Sequence, residues 1–347
     1  MKNFFKNVLL LSGSLLFTLL LIEIVLHFYN PLPARVRGNK IVLKSNVSRK
    51  IAINPHIIGL DDTITYTSNG LGFRGEEKPN NFSDFFSIVC VGGSTTECST
   101  LSDENTWPAR LALTLKTKYK NIWMNNAGID GCSSYGHNIL LDDYLLKLQP
   151  KMILFLVGVN DKGKANFDSE NGYLISRKEP FIRTLIKKSE LANLISNMYL
   201  KYKTQNANLG NNITPNNPDS LIEDQKFVEQ QLIFHRNYQP QYKKRIEELV
   251  TRCLKNNITP VLITQSLLAH PASREWRELL IYNETTKQVA QENNIPLIAL
   301  GDSLEKKKEY YFDGMHYTNT GAQKVAEIIY RNLSAYLDAN KNVIVKN

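Results

Sequence analysis

The sequence predicts an α/β chain, a doubly wound parallel sheet with helices on both faces, preceded by one membrane-spanning helix. Three observations carry this reading. Short, continuously apolar runs alternate with segments of helical period, as buried parallel strands alternate with their crossover helices. The first such run, FSIVCV at 86–91, ends in Gly92-Gly93, the mark of a strand feeding a tight turn into a helix. Val8 to Leu26 is an apolar stretch of 19 residues interrupted only by Glu23, long enough to cross a bilayer. A chain of 347 residues accommodates one principal core with insertions, and 42% hydrophobic with 22% charged residues excludes a collagenous, disordered or wholly membrane-embedded protein.

Taken in order, residues 1–29 read as a membrane anchor. The stretch leaves through His27, Phe28, Tyr29, Asn30 and Pro31, without the small residues of a cleavage site, so an uncleaved anchor fits better than a signal peptide. Glu23 sits close enough to the far end to snorkel. Arg35, Arg37, Lys40, Lys44 and Arg49 beyond the span outnumber the positive charges before it, which alone would keep the body cytoplasmic, although long domains translocate largely regardless of charge. Residues 30–84, polar and turn-rich, with NGLGFRGEE at 69–77, read as a stalk with short strands. The main domain then spans 85–340. Its expected helices are Trp107–Tyr119, with Asp103 as the cap, a helix near Gly136–Leu148, then Pro240–Asn256, Leu279–Asn294 and Gly321–Leu337. Its expected strands after the first are Ile122–Asn125, Met152–Val157, Pro260–Thr264 and Pro296–Leu300. An insertion at 162–239, rich in Lys and Asn, interrupts the alternation. It should carry a helix from about Glu179 to Lys201, in which Ser189 can cap a new turn and Leu191, Leu194, Ile195 and Met198 form one apolar face. That face suits a packed surface, a lid or a membrane-facing element.

Lys+Arg 42 against Asp+Glu 33 gives a net charge of +9, yet no run of five or more like charges appears, so nucleic acid is not an expected partner. A solvated basic surface, or one drawn to an anionic membrane or polymer, fits the dispersion better. Cys90, Cys98, Cys132 and Cys253 form neither a CxxC pair nor a zinc spacing, and neither a metal nor an organic cofactor is expected.

Four segments lie just past the carboxyl ends of predicted strands, where open α/β sheets bind ligands. Gly92-Gly93-Ser94-Thr95 turns sharply and opens a helix with a serine hydroxyl; alone, it is equally a helix cap. Asn126–Ser133 (NAGIDGCS) offers glycine amides for close approach to a substrate oxygen, or is an ordinary turn. Gly158-Val159-Asn160-Asp161 places an uncharged amide donor at the sheet mouth, suited to a developing oxyanion. Asp313-Gly314-Met315-His316 spaces a carboxylate three residues before an imidazole, close enough to fix its tautomer.

In this order and spacing the segments resemble the SGNH/GDSL hydrolase family, over about residues 86–337. The resemblance implies an SGNH hydrolase-like, flavodoxin-like fold, with Ser94 as nucleophile, His316 as base and Asp313 as its orienting carboxylate. It assigns the oxyanion hole to the Ser94 amide, Gly131 and the Asn160 side chain, and makes Gly158 structural. GGST has glycine where the family's GDS(L) has aspartate. The stalk motif Asn69–Arg74, the GGSTTEC turn and the anchor resemble a membrane-anchored, extracytoplasmic bacterial branch. The implied function is a membrane-anchored serine esterase acting on an acylated small molecule, glycan or lipid, with O-acetyl groups on an envelope carbohydrate as one case. An O-acyltransferase with the same triad and a non-catalytic envelope binding module are the alternatives. Gly301-Asp302-Ser303-Leu304 spells the family's nickname, but the EKKKEYY after it has no apolar helix pattern, so Ser303 is not the expected nucleophile. Since the site should bring Cys98 and Cys132 close, they are expected either to be bridged, in an oxidising compartment, or to be small buried apolar groups.

Overall fold

The computed structural model describes residues 2–29, 36–37, 40–162, 189–192, 194–195, 198 and 225–339. Two units are distinguished: residues 1–42 with 174–213, and residues 43–173 with 214–347.

In the first unit, the apolar run forms helix α1, Lys2–Phe28. Its stretch Asn3–Phe28, of mean hydropathy 2.5 and exposed except at Leu26 and the half-buried Glu23, is long and apolar enough to cross a membrane. Strands β1 (Val36–Arg37) and β2 (Lys40–Ile41) form a short antiparallel pair. In the insertion, Ser189 Oγ accepts the Ala192 amide at 3.1 Å, the N-cap expected of it. Most of the helix expected at 179–201 lies outside the described residues.

The second unit opens with a hairpin, β3 (Ser48–Ala52) against β4 (Thr63–Thr67). Its main sheet comprises β5 (Arg74–Gly75), β6 (Phe86–Gly92), β7 (Ile122–Asn126), β8 (Met152–Leu156), β9 (Thr259–Ile263) and β10 (Leu297–Ile298), in the order β10-β9-β8-β6-β7-β5. All pairings are parallel except that of β5, which runs antiparallel to β7 with Arg74 opposite Asn126. The chain moves outward from β6 first to one side and then to the other, so the topological switch falls between β6 and β8, where Gly92 faces Leu156. β6, β7 and β8 are buried along their whole length, which is why β6 and β8 read as near-continuous apolar runs.

The helices are α2 (Ser94–Glu97), α3 (Trp107–Lys118), α4 (Ser134–Leu140, continuing through a π turn to Leu148), α5 (Gln225–Lys255), α6 (Arg274–Glu292), α7 (Leu300–Ser303) and α8 (Asn319–Ala339). On one face of the sheet, Ile88, Cys90, Leu154 and Val261 share a core with Leu111 and Leu115 of α3 and Val325 and Ile329 of α8. The alternate positions Val89, Val91, Ile153 and Phe155 are equally buried and point to the other face, so the sheet is covered on both sides.

Two local expectations are corrected. Thr106, not Asp103, caps α3, its Oγ1 accepting the Ala109 amide at 3.3 Å, while Pro108 occupies the first turn, where its missing N–H costs nothing. Pro240 does not start a helix but lies inside α5, which begins fifteen residues earlier, within the stretch read as insertion. The stretch expected to carry a stalk with short strands holds β3, β4 and β5, of which β5 is an edge strand of the main sheet.

Candidate active site

β6 ends in the turn that opens α2, and Ser94 is the first residue of that helix. His316 Nε2 lies 2.8 Å from Ser94 Oγ, and His316 Nδ1 lies 2.7 Å from Asp313 Oδ2. A carboxylate only accepts, so Nδ1 carries the proton and Nε2 presents its lone pair to the serine hydroxyl. The other Asp313 oxygen accepts the amides of Met315 and His316, each at 2.7 Å. Burial would raise the Asp313 carboxyl, but the His316 ring and these two amides overcome it and hold the group below its ordinary range. Phe312 stacks on the His316 ring at 5.7 Å, and the Leu268 amide, in the loop after β9, donates to Gly314 O at 2.9 Å. The imidazole is therefore held at one nitrogen, on one face and through its loop.

Asn160 sits on the 3₁₀ turn Val159–Asp161 after β8, directly across the switch point from Ser94. Its Nδ2 donates to Cys132 O at 3.0 Å. A Cβ on Gly93 would lie 2.1 Å from that Nδ2 and 3.4 Å from Cys132 O. In this chain the Asn160 amide occupies the space that a side chain at position 93 would need. Gly158 adopts φ +116°, open to glycine at little cost, and turns the chain off β8 toward Asn160. The four segments thus meet at the carboxyl ends of the central strands. Ser94, His316 and Asp313 are directly linked, Asn160 touches the turn on both sides of the switch, and Gly131 immediately precedes the carbonyl that Asn160 holds.

The GDSL-like Lipase/Acylhydrolase family matches residues 90–324, a range holding all four segments. The chain belongs to this family. Among solved structures, the chain is similar to Axe2, an acetylxylan esterase from Geobacillus stearothermophilus, at 14% identity and TM-score 0.46, covering 72% of this chain and 94% of that one. It is similar to TesA at 13% and 0.47, covering 72% and 98%. It is also similar to a putative lipolytic protein of the G-D-S-L family from Desulfitobacterium hafniense DCB-2, at 15% and 0.43, covering 71% and 98%. No curated protein matches it significantly.

In this GDSL-type acylhydrolase, a serine hydrolase, two polar networks that the sequence reading missed brace the site. Arg74, only 4% exposed, donates to the carbonyls of Glu97 (2.7 Å), Cys98 (2.8 Å) and Leu101 (2.8 Å) and to Asp103 (2.8 Å). It thereby caps the carbonyl end of the short helix that Ser94 begins. Glu97 in turn accepts the Asp130 amide at 2.6 Å, and Asn126 Nδ2 donates to Thr96 O at 2.7 Å, tying that helix to the loop carrying Gly131. In the second network, Asp161 accepts the Arg245 guanidinium at 3.0 Å and the Ser134 amide at 3.1 Å, and Arg245 Nε donates to Ser134 Oγ at 2.6 Å. This locks the Asn160 turn to the start of α4. The Asn-Gly-Leu-Gly-Phe-Arg motif advertised Arg74 as unusual, whereas Arg245 lies on a long helix with no local signal.

Ser303 is exposed at the end of α7, and its neighbour Asp302 pairs with Lys287 at 2.7 Å. The loop that follows is pinned toward His316. Lys306 Nζ donates to Ser266 Oγ (2.7 Å) and lies over the Trp276 ring, and Tyr311 donates to the same serine at 2.8 Å. Burial pushes the Lys306 ammonium down to about 8. The bridged alternative for Cys98 and Cys132 is corrected: all four cysteines are buried thiols, and burial pushes Cys98 up to about 12.

Proposed function

We propose that this acylhydrolase is a membrane-anchored serine esterase in which Ser94, His316 and Asp313 form the triad, acting outside the cytoplasm on acyl esters such as O-acetyl groups of a cell-envelope carbohydrate. One observation carries the reading: the unbroken relay from Ser94 Oγ to His316 Nε2 at 2.8 Å and from His316 Nδ1 to Asp313 at 2.7 Å. Ser94 Oγ attacks the acyl carbon as its proton passes to Nε2, and the charge gathers on the former carbonyl oxygen. The amides of Ser94 and Gly131 and the Asn160 side chain are the donors for that oxygen; being uncharged, they favour the transition state over the neutral ester. The imidazolium, stabilised by Asp313, protonates the departing alkoxide. Water, deprotonated by the same Nε2, then attacks the acyl-serine, releasing the acid and restoring Ser94. The length and hydropathy of α1 support the anchor, and the likeness of the anchor, the Asn69–Arg74 motif and the Ser94 turn to the membrane-anchored branch supports the envelope substrate.

A membrane-impermeant fluorophosphonate applied to intact cells, or to spheroplasts if an outer membrane is present, tests both chemistry and orientation. Labelling should occur from outside and vanish in Ser94→Ala. Labelling at Ser303, or none in folded protein, overturns the triad. Labelling only after lysis overturns the outward orientation.

A further inference from the structure

Glu23 is the one charged residue between Val8 and Leu26, and its carboxylate is fully engaged. It accepts Ser189 Oγ at 2.9 Å, the Leu191 amide at 3.2 Å and the Glu190 amide. Ser189 and Glu23 therefore divide the opening amides of one helical segment: Ser189 takes Ala192, and Glu23 takes Glu190 and Leu191. A carboxylate there also meets the positive end of the helix dipole. Glu190 is buried and its carboxylate lies 3.9 Å from His27, one turn further along α1. Beyond this cap, Leu191, Leu194, Ile195 and Met198 recur at helical spacing, and Ile195 and Met198 are 58% and 56% exposed.

Glu23 also sets a depth, on the reading that α1 spans a bilayer. With Lys6 at one interface, Glu23 lies seventeen residues on, roughly 25 Å along the helix. The hydrocarbon core is about 30 Å thick. A segment whose first amides bond to Glu23 must therefore start about 5 Å beneath the far headgroups. Interfacial amphipathic helices bury their apolar faces to a depth of about 5–10 Å. We propose that the segment bearing Leu191, Leu194, Ile195 and Met198 lies in the plane of the membrane surface with those four side chains turned to lipid, Glu23 fixing its depth. The partner of this face is the bilayer that holds α1, and the otherwise unfavourable carboxylate in the anchor is retained as the cap of that segment.

The test uses the full chain in vesicles of phosphatidylethanolamine and phosphatidylglycerol. The native cysteines are buried, so a cysteine introduced by Leu16→Cys, Ile195→Cys or Met198→Cys takes an environment-sensitive fluorophore alone. Lipids carrying a nitroxide high or low on the acyl chain then report depth. The probe at 16 should be quenched by the deep nitroxide, and those at 195 and 198 more strongly by the shallow one. Adding Glu23→Ala should remove quenching at 195 and 198 and leave that at 16 unchanged, with circular dichroism confirming that the variant is folded. Quenching at 16 with none at 195 and 198 overturns the inference and leaves the anchor standing. No quenching at 16 overturns the anchor itself. Quenching at 195 and 198 that survives Glu23→Ala shows that Glu23 does not set the depth and overturns the proposal.

Discussion

Asp313 holds its charge against burial because two amides and an imidazole N–H converge on it, and that arrangement has two separable consequences. The first is catalytic. Asp313→Asn offers Nδ1 a donor as readily as an acceptor, which allows the tautomer with its proton on Nε2, where it cannot accept from Ser94. We expect kcat to fall by up to ~10⁴, with KM changing less. The second is thermodynamic. A carboxyl whose folded value is depressed stabilises the fold above its ordinary value of 3.8, and this stabilisation disappears as pH falls through the lower folded value. Urea melts should therefore show wild type more stable than Asp313→Asn near neutrality, with the gap closing below about pH 4. A gap that widens in acid would contradict the assignment of the charge. Asn160→Ala removes a neutral donor and should cost ~10²–10³ in kcat. Since Asn160 also holds Cys132 O, melting curves should accompany the kinetics, and near-normal kcat would remove Asn160 from the oxyanion hole.

At the scale of elements, the turn that carries Ser94 is a helix of four residues, too short to hold itself, and Arg74 from β5 supplies what it lacks. Arg74→Met would strand the carbonyls of Cys98 and Leu101 in a buried setting and take the guanidinium from the half-buried Asp103, at a cost of about 3–5 kcal/mol. The melting temperature should fall on the order of 10 °C. Arg74→Lys should recover little, because an ammonium cannot reproduce the forked geometry that serves Glu97 and Leu101 together. Stability within a degree or two of wild type would show that the clamp is dispensable. This clamp also marks where reading the sequence stops working. Strands β6 and β8 announced themselves because burial on both faces leaves an unbroken apolar run, and Asp313 and His316 because their partnership is local, three residues apart. Arg74 meets partners more than twenty residues away, and Arg245 meets Ser134 across 111 residues. No local period encodes such pairings. Pro240 misled for the opposite reason, a strong local signal overridden by the packing of α5 against α4 and α6. The close approach of the Asn160 amide to Gly93 likewise joins positions 67 residues apart and has no local signature.

For the whole molecule, the question is where the enzyme begins. The apolar run and the polar stretch after it suggested a body starting near residue 85, yet the second unit starts at residue 43, and its first forty residues are joined to the site at many points. The Leu43 amide reaches Tyr144 Oη at 3.3 Å, the Thr65 amide reaches Ser102 Oγ at 3.2 Å, and Tyr66 donates to Glu97 at 3.1 Å. Asn69 donates to Asn125 at 2.7 Å on β7, the strand beside β6. The Tyr66 bond and the Arg74 clamp reach the helix that Ser94 begins, and the Asn69 bond reaches the end of β7, which leads into the loop carrying Gly131. A chain spanning 43–347 lacks α1 but keeps every one of them, so it should be soluble, unfold cooperatively and hydrolyse a soluble acetyl ester with kcat close to that of the detergent-solubilised full chain. A chain spanning 85–347 keeps Ser94, His316, Asp313 and Asn160 but exposes the edge of β7 and leaves the carbonyls of Glu97, Cys98 and Leu101 without Arg74. It should aggregate or melt well below the longer chain, with kcat reduced in whatever remains folded. Comparing the two by size-exclusion chromatography, thermal melts and ester hydrolysis decides the point. If the 85–347 chain proves as stable and active as the 43–347 chain, residues 43–84 are a tether after all, and the bonds they make to the site contribute nothing to its function.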